Sequence, residues 1–417
     1  MADTQTARKA ALGLLDAVLG DGAMLSTLLD DKGPMAGLPG PERARAQRLA
    51  LAVLRQIEPV DKLLQAHLRK APPLTALNIL RLAVVELSMG AAPHGVVNTA
   101  VGMAKSGRRT QAAAGMINAV LRTIPENPLA DALPQRLPRW LRQPLVHAYG
   151  REAVAVMEAV QSRPAPIDLT LRPGAIAPDG IPLPNGSLRL TDAGQVSTLP
   201  GYATGDWWVQ DAAAAMAVPL LAPKPGERVL DLCAAPGGKT LQLAASGAQV
   251  TAVDISAPRM ARVAENLNRC GLAADLIATD ALHWTPETRF DAILLDAPCS
   301  ASGTIRRHPD LPFVKSDADL PDLIALQAAL IDHAVTLLTP GGRVVFCTCS
   351  LLPQEGEAQL AAALLRHPHL STVRPDLPGT DPAWITPDGG LRLRPDYWAD
   401  LGGMDGFFMA LLAPKVR

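Results

Sequence analysis

The sequence predicts a multidomain chain: an all-α front domain followed by a doubly wound α/β domain. Three observations predict it. Over residues 6–124, apolar residues recur at i, i+3, i+4 and i+7 in successive segments. From Trp207 onward, short apolar runs alternate with helical segments. Two of those runs (AILL and RVVF) lead into DAPCS, Asp296 to Ser300, and CTCS, Cys347 to Ser350. The carboxyl ends of parallel strands are where such sheets place their ligands, so Asp296, Cys299 and Cys349 are expected to face one crevice.

Bulk properties narrow the class. A chain of 417 residues with 48 % hydrophobic and 19 % charged content has ample material for packed cores and is not a disordered chain. It contains no apolar run long enough to span a membrane, and its N-terminus lacks the basic, apolar, small-residue order of a signal peptide. Five cysteines without disulfide-scaffold spacing point to a reducing cytoplasm. The net charge of −1 is unevenly spread: residues 1–200 carry 22 Lys+Arg against 16 Asp+Glu, and residues 201–417 carry 17 against 24. Contact with a polyanion is therefore expected at the N-terminal end.

In order, the front helices are ARKAALGLLDAVL, RAQRLALAVLRQI, VDKLLQAHL, LNILRLAVVEL, VVNTAVGMAK and AGMINAVLRTI. Breakers separate them at Gly33-Pro34, Pro72-Pro73 and Ala92-Pro93. Three domains are expected: 1–130 helical, 131–204 a proline-rich connecting subdomain, and 205–417 α/β. The connector holds helices over 137–161 and short strands at 167–172 and 187–190. In the α/β part, strands are expected at 228–233, 249–255, 275–280, 291–296 and 343–350, with right-handed crossovers between parallel neighbours. The final strand, 406–413, is expected at an edge.

The loop CAAPGGKT, Cys233 to Thr240, lies between a strand and a helix and nearly matches the phosphate-cradling G-x-x-x-x-G-K-[ST]. Cys233 replaces the first glycine, and Pro236 removes a backbone donor that a phosphate would need. A different ligand fits better. The stretch Cys233, Ala234, Ala235, Pro236, Gly237, Gly238 and Lys239 lets backbone approach an extended cofactor at a helix N-terminus. Asp254, ending the second strand, suits a ribose diol, and Asp280, ending the third, suits the amino group of an adenine. Carboxylates in place of basic groups suggest a cofactor with a ribose and a positive charge but no phosphates, which describes S-adenosylmethionine.

HGVVNTAVGMAK and MINAVLRTI resemble the helical RNA-binding domain of the NusB family, over roughly residues 1–130. DLCAAPGGKT, AVDI, DAPCSASGTIRRHPDL, CTCSLLPQEGE and GMDGFF resemble the motif series of the Nol1/Nop2/Sun RNA cytosine-5 methyltransferases, over residues 205–412. Together they are similar to the branch that modifies small-subunit ribosomal RNA. The resemblance implies that Cys349 is the nucleophile that adds to carbon-6 of cytosine. It further implies that Asp296 serves ring nitrogen-3 as well as the cofactor site, and that Cys299 assists product release. A thiolate is needed because carbon-5 becomes nucleophilic only after carbon-6 is attacked. Cys347 and Cys270 are expected to be structural.

Arg306, Arg307 and His308, beside the active strand tip, are expected to contact RNA phosphates. No metal site is expected, and the chain is expected to act as a monomer. Two positions depart from the family pattern: Arg172-Pro173-Gly174, where Arg-x-Asn is common, and Glu355-Gly356, where Asn often follows the Glu. A rival reading is an RNA-binding ribosome-assembly factor with a non-catalytic methyltransferase fold. A thiol redox enzyme using Cys347-x-Cys349 is disfavoured, since no thioredoxin-like pattern surrounds that pair.

Overall fold

The computed structural model describes residues 4–29, 33–191 and 194–415. They form two compact units that interleave along the chain: residues 1–146, 150–164 and 305–316 in one, and 147–149, 165–304 and 317–417 in the other. The expected connector, 131–204, thus divides near Pro164 rather than standing alone.

The first unit is helical: α1 Thr4–Asp21, α2 Gly40–Leu54, α3 Ile57–Gln65, α4 Leu74–Ser88, α5 Pro93–Ser106, α6 Ala114–Leu121, α7 Arg139–Tyr149 (its last three residues excepted) and α8 Arg151–Gln161. The apolar stripes read from the sequence converge on one core that includes Leu14, Leu15, Val53, Leu80, Leu82 and Ile117. Buried charges there are paired: Arg8 Nε donates to Glu86 at 2.8 Å, and Arg81 grips both oxygens of Asp61. A distant stretch, 305–316, also belongs here. Phe313 and Val314 pack against the helical core, Asp310 accepts from the Leu25 N–H at 2.9 Å, and Arg55 donates to the Arg306 carbonyl at 2.9 Å.

The second unit holds two sheets. A small antiparallel one runs β2-β3-β1-β4 from β1 Asp168–Leu171, β2 Gly180–Pro182, β3 Leu188–Leu190 and β4 Trp207–Val209. The main sheet is built from β5 Arg228–Leu232, β6 Gln249–Asp254, β7 Asp275–Ala278, β8 Phe290–Asp296, β9 Leu338–Thr348, β10 Leu370–Val373, β11 Leu391–Leu393 and β12 Phe407–Pro414. Its order is β10-β12-β9-β8-β5-β6-β7, with β11 also on β12. Strands β9, β8, β5, β6 and β7 are mutually parallel, and α9 Ala217–Leu221, α10 Gly238–Ala245, α11 Ala257–Arg269, α13 Leu320–Thr336 and α14 Glu357–Arg366 belong to the same unit. Helix α12, Leu311–Val314, lies in the stretch that joins the first unit.

One expectation is corrected. The final strand is not at the edge: β12 is antiparallel to β9 on one side and to β10 and β11 on the other. Its first six residues are all buried, which suits a continuous apolar run covered on both faces and not the alternation of a half-exposed edge. Among the described residues no helix is long and apolar enough to cross a membrane.

Candidate active site

The strand order β9-β8-β5-β6 brings four carboxyl ends together, and the sequence-selected side chains sit at them. Parallel register opposes Asp296 to Cys347. Past the strand ends the chains stay joined: the Ala297 N–H donates to the Cys347 carbonyl and the Gly303 N–H to the Cys349 carbonyl, each at 2.9 Å. This pairing sets Cys299 Sγ 3.4 Å from Cys349 Sγ. Cys299 is buried, whereas Cys349 is partly open to solvent. Contact with Cys349, together with burial and the Cys349 and Glu355 charges, holds the Cys299 pKa well above the ordinary thiol value.

Asp296 faces the other way along the same tip. Its Oδ2 accepts from Lys239 Nζ at 2.7 Å, and its Oδ1 lies 3.6 Å from Cys347 Sγ. Lys239 is itself buried and stands over the Phe407 ring at 5.0 Å. Burial pushes the ammonium pKa down, but the Asp296 charge outweighs it and keeps lysine protonated. Cys347 is wholly buried in the strand, the structural part expected of it, with a pKa raised by burial and by Asp296.

The loop Cys233–Lys239 follows β5 and enters α10. Cys233 takes left-handed backbone (φ +63°), as does Ala301 (φ +57°) in the Cys299 loop, and such strain gathers at functional sites. Gly237 is required: its φ is +98°, and a Cβ there would meet the Val263 side chain at 2.9 Å. Asp254 shapes the loop from β6, accepting from the Ala235 N–H at 3.0 Å and the Ser256 N–H at 2.9 Å. Asp231, wholly buried, accepts from the Thr240 hydroxyl at 2.6 Å with Oδ2 while its Oδ1 has no partner. Burial pushes its pKa up to about 7. Burial also raises the Cys233 thiol, and the charges of Asp296, Asp254 and Asp231 all act on it in the same direction. A loop ringed by three carboxylates repels a triphosphate. It fits a ligand bearing a sulfonium, an ammonium and ribose hydroxyls.

Other selected residues fall elsewhere. Asp280 is half-buried, and its oxygens accept from the Leu282 N–H at 3.0 Å and contact His283 Nδ1 at 2.8 Å. Those contacts hold its pKa below the usual carboxylate range. Arg306, Arg307 and His308 belong to the helical unit. The expectation for Arg306 is corrected: it is only 1 % exposed, so its guanidinium is not a surface ligand for phosphate. Arg307 is half-buried and His308 exposed.

Both departures from the family pattern are ordered. Gly174 has φ +74°, a region that glycine and asparagine tolerate best, so the exchange leaves the turn intact. Arg172 beside it donates to the Cys270 carbonyl at 2.6 Å. At Gly356 a Cβ would lie 2.5 Å from Arg392 Nη2, so the arginine occupies the space a side chain would take. Sequence reasoning missed Glu355, Gln327 and Arg392, all buried behind the cysteine loops. Glu355 was visible within CTCSLLPQEGE, but nothing local assigns Gln327 or Arg392 to it.

A parallel sheet with a carboxylate-ringed glycine loop and paired thiols at adjacent strand ends defines a class, the S-adenosylmethionine-dependent methyltransferases. The family described as 16S rRNA methyltransferase RsmB/F matches residues 218–413, and the NusB family matches residues 5–126. The ribosomal RNA small subunit methyltransferase B of Cronobacter sakazakii is 36 % identical, covering 98 % of this chain and 98 % of that one. That of Salmonella arizonae is 35 % identical over 90 % of this chain and 91 % of its own. A solved methyltransferase homolog protein from Pyrococcus horikoshii is 27 % identical with a TM-score of 0.56, covering 66 % of this chain and 94 % of its own. The crystal structure titled PH0851 shares the fold with a TM-score of 0.77 over 98 % of both chains, at 22 % identity. The chain belongs to the RsmB/F methyltransferase family.

Proposed function

We propose that this protein methylates carbon-5 of a cytosine in small-subunit ribosomal RNA, through a covalent bond between Cys349 and carbon-6. The observation that carries the reading is the pair of thiols, Cys299 and Cys349, 3.4 Å apart at neighbouring strand ends beside Asp296. The names of the relatives support the choice of RNA. S-adenosylmethionine supplies the electrophilic methyl group. The chain would hold it with the backbone of Cys233–Lys239, with Asp254 toward the ribose and Asp280 toward the adenine, and with the Asp296 carboxylate beside the loop.

The protein's own steps follow from the environment of each group. Cys349, the more open of the two thiols, adds as a thiolate to carbon-6. Asp296 shares a proton with ring nitrogen-3, drawing charge off the ring, and the electron pair arrives at carbon-5. During attack Cys299 stays protonated, because Cys349 and burial raise its pKa. Once Cys349 is a neutral thioether, its charge and its hydrogen bond no longer oppose ionisation of Cys299. With the methyl group on carbon-5, Cys299 releases its own proton to solvent and, as a thiolate, removes the proton from carbon-5; that electron pair re-forms the ring double bond, the carbon–sulfur bond breaks, and Cys349 departs as a thiolate. The target base must leave its stack to reach these groups.

The helical unit serves RNA affinity, with Arg307 and His308 as candidate phosphate contacts. The reading places the protein in a reducing cytoplasm, acting as a monomer. Bisulfite sequencing of ribosomal RNA from cells with and without the gene tests it: one cytosine should lose protection in the deletion and regain it with the wild-type gene. Full protection restored by Cys349→Ala would favour a non-catalytic assembly factor instead.

A further inference from the structure

Behind the two thiols lies a buried polar network centred on Glu355. Glu355 is completely buried, yet its carboxylate touches the loops of both cysteines. Its Oε1 accepts from the Ser300 N–H at 2.8 Å, the residue directly after Cys299. Its Oε2 accepts from the Ser350 hydroxyl at 2.6 Å, the residue directly after Cys349. Gln327 completes the grip on the first loop. Its Nε2 donates to Glu355 Oε1 at 3.0 Å and to the Pro298 carbonyl at 2.8 Å, so the amide and the carboxylate straddle Cys299. The hydroxyls of Ser300 and Ser350 also meet at 3.2 Å. From the opposite side Arg392 donates to the Ser350 carbonyl and is held by both oxygens of Glu357, at 3.0 and 2.6 Å.

We propose that Glu355 is a positioning residue that sets the separation of Cys299 and Cys349 by tying together the loops behind them. This rests on the reading above for what the thiols do, but not for where they stand. A buried carboxylate is costly where an apolar side chain could fill the space. A short side chain could reach one loop. A longer one with two polar atoms at its end, entering between the loops, serves a backbone N–H on one side and a hydroxyl on the other. The sulfur–sulfur contact alone is weak, since a thiol is a weak donor and a weak acceptor. Loosening either loop by about 1 Å should cost the reaction on the order of 100-fold, the sensitivity expected of a positioned reacting pair.

The test uses the full-length chain with Glu355→Ala and Glu355→Gln and two readouts. The first is the rate at which diamide converts the thiols of Cys299 and Cys349 to a disulfide, followed by mass spectrometry of that cross-linked peptide. Two thiol hydrogens pass to the azo bond, giving a hydrazine, and the sulfurs join. The second is kcat and KM for RNA methylation. Glu355→Ala should slow both cross-linking and kcat by about 10- to 100-fold, leaving the Kd for S-adenosylmethionine within about 2-fold. Glu355→Gln keeps the shape, can still accept from Ser300 and can donate to Ser350, so it should stay within about 3-fold of wild type in both. Should Glu355→Ala not fold, Glu355→Asp, one methylene shorter, gives the same comparison. A merely structural role would lower the melting temperature while folded protein cross-links and turns over at the wild-type rate, and that result overturns the proposal. If wild type proved inactive on cytosine while cross-linking still depended on Glu355, the functional reading would fail and the positioning role would stand.

Discussion

Restoring any side chain at Gly356 should damage the protein, although asparagine is common there in the family. The expected damage comes from collision of the new side chain with its neighbours. A Cβ would stand 2.5 Å from Arg392 Nη2, 2.7 Å from Phe408 Cγ and 3.0 Å from Phe408 Cβ. Phe408 is wholly buried under the sheet and cannot withdraw. Arg392 must move instead, and it is the donor to the Ser350 carbonyl and the partner of Glu357. Overpacking costs about 1–3 kcal/mol and a displaced charge-assisted hydrogen bond about 1.5–3 kcal/mol, so Gly356→Ala should lose about 2.5–6 kcal/mol. For a unit of this size each kcal/mol lowers the melting temperature by about 2–4 °C. Differential scanning calorimetry should show a fall of about 5–24 °C, confined to one transition if the two units melt separately. Methylation should drop with it, since Ser350 follows Cys349 directly. A variant with unchanged melting temperature and full activity would refute the steric account.

Three further outcomes follow from the same structure. Asp254→Ala should weaken S-adenosylmethionine by roughly 1–3 kcal/mol through loss of the carboxylate that holds the Ala235 and Ser256 amides, and an unchanged titration isotherm would remove Asp254 from the site. The folded-state pKa of Asp231 is pushed up to about 7 by burial, so its contribution is fully present below the unfolded value near 4 and is lost as pH rises toward 7. Asp231→Asn should therefore gain stability relative to wild type between pH 4 and 7 and level off above, and a pH-independent difference would contradict that. Phe313→Ala should reduce stability by about 1–3 kcal/mol, less than a fully buried phenylalanine because the ring is only partly covered. Hydrogen exchange should then quicken in α1 and α2, and a response confined to the sheet would contradict the placement of 305–316 with the helices.

Much of this was legible from local pattern. The six front helices follow their apolar periodicity, and the parallel strands β5 to β9 follow apolar runs bounded by turns. Cys299 and Cys349 are 50 positions apart, yet each tip announces itself by a strand before it and a polar turn after it. What was not legible depends on partners far along the chain. β10 and β11 are short segments, four and three residues long, that become strands only because β12 is there to pair with them. Two adjacent arginines in a loop look like solvated surface, and nothing local shows that 305–316 joins the front helices and buries Arg306. Glu355 stands in a recognisable motif, but its meaning comes from Ser300, 55 positions earlier, and from Gln327 on the inner face of α13.

The central claim is that two touching thiols divide one reaction between them, and trapping the covalent intermediate tests it most directly. Each single variant, Cys349→Ala and Cys299→Ala, would be incubated with S-adenosylmethionine and labelled small-subunit ribosomal RNA, then run on a denaturing gel. Cys299→Ala should attack and transfer the methyl group but stall at elimination, leaving a protein–RNA band that survives denaturation. Cys349→Ala should give neither band nor methylated product. A stable band from Cys349→Ala and none from Cys299→Ala would exchange the two roles, and full activity in both variants without any band would rule out covalent catalysis by these cysteines.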